Sequence, residues 1–151
     1  FFVVLFVVFF CGVYFWVAFL SVVDISVADF SGADLSGADL SGADLKGVPR
    51  IPDIHKAVLE AASAPGALDM GIWHNETACG TTHCRAGWVV TLAGEGGAAL
   101  EWAMGTPAAA AMIYLASDPK LERIPDFYCD NETALADMKR LAEAAEEAVT
   151  R

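Results

Sequence analysis

No Asp, Glu, Lys, Arg or His occurs in the first 23 residues, FFVVLFVVFFCGVYFWVAFLSVV. No lysine or arginine precedes Lys46, and the chain has nine of them against twenty acidic residues, a net charge of −11. An acidic chain with no basic stripe is a poor grip for a phosphate backbone, so nucleic acid is not an expected partner. Histidine is scarce, with three in all and none after His83. A papain-type thiol protease needs one downstream of its cysteine, and here only His55 or His74 is available, in reversed order. The order C-x-x-C-H is also missing, which argues against covalent haem attachment.

What fills the uncharged front is apolar. As a helix it would be about 35 Å long, enough for a hydrocarbon core of about 30 Å. Its eight valines are poor helix formers in water, but in lipid an unpaired backbone group costs more than the lost propensity. The expectation is a transmembrane helix over 1–23 in a single-pass membrane protein. A buried core element of a soluble fold is one alternative; a cleavable signal peptide is another, but there is no basic n-region, no small-x-small site, and the run is too long. With no cation beside the span, the part that follows is expected on the non-cytoplasmic side.

Val23–Gly47 reads VDISV ADFSG ADLSG ADLSG ADLKG, five quintets in register. A period of five suits neither a helix nor a strand and calls for a repeat architecture. Ala28, Ala33, Ala38 and Ala43 are each followed by Asp and then a large apolar residue. This pattern resembles the pentapeptide-repeat family. The resemblance implies a right-handed quadrilateral β-helix over 24–49, with Ile25, Phe30, Leu35, Leu40 and Leu45 on its axis and the aspartates in solvent. Four quintets make a coil in that fold, so little more than one coil is expected, too short for the long rods of that family that mimic DNA. Solenoids gain their core by stacking, so a single coil must be capped by a neighbouring segment or a partner. A flexible linker is the alternative, although it gives no reason for leucine to stay in phase.

Residues 50–151 read as a small, mainly α-helical domain, completing a mixed fold class. Asp53 is placed to cap a helix through about Ala62, stopped by Ala64-Pro65-Gly66. Trp73–Thr82 reads as an irregular loop. A helix from about His83 to Leu92 is expected with Thr81 or Thr82 as its cap, then a short one over Ala98–Met104. Thr106-Pro107 opens an alanine-rich helix to Ser117. Asn131 is the expected cap of the last helix, whose apolar stripe includes Leu135, Met138, Leu141 and Ala145. Asn75-Glu76-Thr77 and Asn131-Glu132-Thr133 fit the N-glycosylation pattern.

The chemically dense stretch is WHNETACGTTHCRAGW, Trp73–Trp88. Together with IPDIHKAV, ALDMGIWH, TPAAAAMIY and RIPDFYCDNETALADMKRLA, it resembles uncharacterised bacterial and phage pentapeptide-repeat proteins, a likeness running from about Ala33 to Ala142. Three readings stay open. Cys79 and Cys84 can form a disulfide if their Cα atoms come within about 7 Å. His74, Cys79, His83 and Cys84 are all zinc-compatible, though their spacing matches no common finger. Cys84, in the first turn of a helix beside Arg85, can be an activated thiol. Cys129 precedes the last helix and is within reach of this stretch.

The expected function is non-enzymatic: a membrane-anchored accessory or scaffolding subunit, with the bilayer and other membrane-protein subunits as partners and no cofactor. The alternative is a metal-binding or thiol-dependent protein acting through Trp73–Trp88. The repeat is directly testable. Leu35→Asp places an unpaired charge on the axis, at a cost of several kcal/mol, whereas Ser36→Asp faces water. Protease resistance of Val23–Gly47 should fall in the first variant and persist in the second; equal tolerance of both would mean a linker.

Overall fold

A computed structural model describes residues 45–77 and 80–150. Its elements are helix α1 (Ile54–Ala62), strands β1 (His74–Thr77) and β2 (Gly80–His83), and helices α2 (Arg85–Leu92), α3 (Gly94–Met104), α4 (Thr106–Ser117) and α5 (Asn131–Thr150). The segment after the repeat is therefore mainly helical, as its patterning implies. Among the described residues no helix is long and apolar enough to cross a membrane. The expected span 1–23 and the axis residues Ile25, Phe30, Leu35 and Leu40 lie outside the described residues.

α4 is the middle of the domain. Pro107 sits in its first turn, where its missing N–H would have no helical partner anyway. Every residue from Thr106 to Ala116 is buried. Ala108–Ala111 are fully enclosed, and side chains this short let α2 and α3 close directly on the α4 backbone. α1 packs against α2 and α5. The main core joins Ile54, Val58, Val89, Ile113, Tyr114, Phe127 and Met138, and a second cluster joins Val90, Met104, Ala108, Ala109 and Met112. Leu45, the last of the expected axis residues, packs with Val48 against both clusters. Ser117 at the end of α4 accepts the Ile51 N–H at 2.9 Å, fastening the chain just past the repeat.

Several local expectations are corrected. Trp73–Thr82, which reads as an irregular loop, falls in an antiparallel hairpin pairing His74 with His83 and Thr77 with Gly80. It has no apolar alternation to announce it; its β2 edge is fastened by Leu68, whose bridge to His83 runs parallel. Because His83 is a strand residue, α2 begins only at Arg85. Its cap is Cys84, whose Sγ accepts the Gly87 N–H at 3.2 Å, not Thr81 or Thr82. Asp53 lies in the left-handed region at φ 48° and makes no side-chain cap. α3 starts at Gly94 rather than Ala98, since packing on α2 and α4 overrides the glycine penalty. Asp130, not Asn131, caps α5: its Oδ1 accepts the Thr133 N–H at 2.8 Å. Asn131 instead accepts the Met70 N–H at 2.7 Å, tying the loop before the hairpin to α5.

The hairpin sits so close on α2 that there is no room for a side chain at Gly87, where a Cβ would lie 2.0 Å from the Trp73 carbonyl oxygen. Gly87→Ala should therefore lower unfolding free energy by about 2 kcal/mol or more, as overpacking against backbone does. Urea denaturation followed by circular dichroism measures it.

Candidate functional site

The hairpin register brings His74 and His83 together. Their Nδ1 atoms are 2.8 Å apart, and their ring centroids are 4.9 Å apart at 77°. The two nitrogens thus lie close to the line between the rings, which is hydrogen-bond geometry; two ligands of one ion would aim at a common third point. His74 Nε2–H donates to Glu101 Oε1 at 2.7 Å, and the Thr106 hydroxyl donates to the same oxygen at 2.5 Å. The result is a hydrogen-bonded chain of His83, His74 and Glu101, joining β2, β1 and α3. His83 is buried edge-on against Trp88, with centroids 4.5 Å apart.

Of the four residues singled out as disulfide or metal candidates, the structure joins these two. Cys79 lies outside the described residues. Cys84 is a free thiol turned into its own helix. Among the described residues no group of three or more His, Cys, Asp or Glu side chains is arranged to hold a metal. Burial pushes the Cys84 thiol up to about 11, outweighing the backbone N–H groups of Gly87 and Ala86 that pull it down. The helix N-terminus acts in the direction an activated thiol requires, but desolvation is the larger effect. Cys129 is also a free thiol, bonded to the Asp126 carbonyl at 3.6 Å.

Among the described residues the most deeply placed charge is that of Arg85, which the sequence presents only as a neighbour of Cys84. Arg85 is 1% exposed. Its Nε–H donates to the Tyr114 hydroxyl at 3.0 Å and its Nη1–H to Asp137 Oδ2 at 2.6 Å, linking α2, α4 and α5. The guanidinium carbon also lies 5.4 Å from the centre of the Tyr114 ring. Burial by itself would lower the Arg85 pKa, but Tyr114 and Asp137 raise it. Desolvation pushes the Asp137 carboxyl up, yet its bonds to Arg85 and Arg140 bring it below the ordinary carboxylate range. Burial raises Tyr114. A lone arginine among Cys84, Ala86, Gly87 and Trp88 is the sequence's hint of an interior cation. Its partner 52 residues on is not readable there. Nearby, His55 Nε2–H donates to Asp118 Oδ2 at 2.9 Å, and its ring stacks on Tyr114.

Residues 23–48 match the family of pentapeptide repeats (8 copies). No curated protein and no solved structure matches the chain. The matched stretch ends on Val48, so its last residues are the ones packed against α4 and its neighbours. The chain thus carries a stretch that matches pentapeptide repeats, followed directly by a mainly helical segment.

Two measurements test these environments. At pH 8 a thiol with Cys84's value is about one part in a thousand thiolate. Iodoacetamide should leave Cys84 unmodified in the folded chain and modify it in denaturant; rapid labelling of the folded chain would refute the buried-thiol assignment. Asp137 has a depressed folded pKa, so its contribution to stability is present above the ordinary carboxylate pKa and is lost as pH falls through the folded value. The slope of stability against pH between about 5 and 3 should therefore flatten in Asp137→Asn, measured by urea denaturation.

Proposed function

We propose that the chain is a non-enzymatic docking or scaffolding protein in which the helical domain caps one end of a short repeat coil. Phe1–Val23 would anchor the assembly in a membrane. The observation that carries this reading is the packing of Leu45 and Val48 against both core clusters. A coil this short has no independent core, and the domain offers its last residues an apolar seat. Trp102, 91% exposed on α3, is an anchor of the kind that partner surfaces use. The finer likeness to bacterial and phage pentapeptide-repeat proteins, through CGTTHCRAGW and its flanking words, belongs with this proposal and brings no activity with it.

The alternative, metal- or thiol-dependent action through Trp73–Trp88, has the His74–His83 pair in its favour. The collinear nitrogens and the high Cys84 pKa weigh against it. A photo-crosslinking residue at position 102, in the full chain in its native membrane, should give one discrete heteromeric product. Leu45→Asp should abolish that product. Only monomer in the unmutated chain would overturn the docking reading.

A further inference from the structure

Four of the chain's nine lysines and arginines, Arg85, Lys120, Arg123 and Arg140, line one groove. It measures about 1070 Å³ and lies between the start of α1, the segment 118–130 and α5, about the upper size of a small-molecule site. Two of its carboxylates are already engaged: Asp118 by His55, and Asp137 by Arg85 and Arg140. Lys120 and Arg123 form no ion pair among the described residues. With Asp53, Asp118, Glu122, Asp126 and Asp137 also in the lining, the four cations face five carboxylates.

The lining also contains two buried polar atoms without a partner among the described residues. Arg85, 1% exposed, has no acceptor for Nη2, and His55, 6% exposed, has none for Nδ1. Folded proteins rarely leave such groups unsatisfied, because an unpaired buried donor keeps the full cost of its desolvation. The Arg85 guanidinium is held in place by Tyr114 and Asp137, so its third nitrogen is oriented in advance. An oxygen acceptor is what it lacks. An apolar part of the lining is made by Leu121, Ile124, Leu141, Ala144 and Ala148.

We infer that this groove binds a single carboxylate or phosphate group carried on an apolar body. Arg85 Nη2, sealed from water in this structure, takes an anion oxygen when the side chains over it part, Lys120 and Arg123 supply positive charge at the rim, and the α5 side receives the hydrocarbon. Asp53, Glu122 and Asp126 also reach the lining and exclude polyanions by repulsion. The inference is independent of the docking reading, since it involves neither Leu45 nor Trp102.

Calorimetric titration of the full chain with octanoate, octyl phosphate and octanol tests it, each below its micelle concentration. One of the two anions should bind at least about tenfold more tightly than octanol, as a charge-assisted contact requires. The tighter anion names the headgroup, a free carboxylate or a phosphate of the lipid type. Arg85→Lys should lose about tenfold, since an ammonium cannot reproduce the guanidinium fork. Because that change is in the interior, Lys120→Ala with Arg123→Ala is the companion variant; both positions are exposed, and severalfold weakening is expected. Equal affinity for octanol, no binding of either anion, or wild-type affinity in the companion variant would overturn the assignment.

Discussion

Burial of α4 along Thr106–Ala116 is the constraint on which the other contacts depend. A helix enclosed along Thr106–Ala116 can be surrounded only if its neighbours come very close. Four consecutive alanines make that possible, and Gly97 lets α3 close in turn on α2, where a Cβ would lie 2.3 Å from the Val90 carbonyl oxygen. The consequence reaches both ends of the domain. Val90, Met104, Ala108, Ala109 and Met112 form a small apolar platform that receives Leu45 and Val48. Tyr114, one turn from the other end, holds Arg85 and stacks with His55 and Phe127.

Burial also decides the chemistry. Cys84 occupies a position, the start of a helix, that in an exposed setting would favour thiolate. Enclosure reverses the outcome and leaves the sulfur as a capping acceptor. Arg85, one residue on, stays charged in the interior because a hydroxyl, a carboxylate and a ring face replace most of its hydration. The two histidines of the hairpin are likewise tied into a line of hydrogen bonds ending on Glu101. Arg85 and the two histidines are held by partners from other elements, and Cys84 by its own helix.

The legible parts of the sequence were those governed by period and by strong local signals. The five-residue repeat, Pro107 at a helix start, the stop at Ala64-Pro65-Gly66 and the apolar stripe of α5 all follow from neighbours within a few residues. Where a tertiary contact decided the outcome, local reading failed. Thr81 and Thr82 look like caps until His83 is seen paired with His74. Asn131 looks like a cap, but its amide is drawn to Met70 and Leu68. Gly94–Gly97 looks like a break because glycine's helix penalty is local, whereas its benefit here is the approach of two backbones. At the site, nothing near Arg85 in sequence points to Tyr114 or Asp137.

The central claim is that the helical domain provides the seat for the end of the repeat. It is tested most directly by native-state hydrogen exchange of the α4 amides in the full chain and in Leu45→Ala. Removing a half-buried leucine from a packed platform should lower the opening free energy of the Ala108–Met112 amides by about 1–2 kcal/mol, less than the 2–5 kcal/mol of a fully buried leucine. Unchanged protection of those amides would contradict the claim and leave the repeat a mere neighbour of the domain.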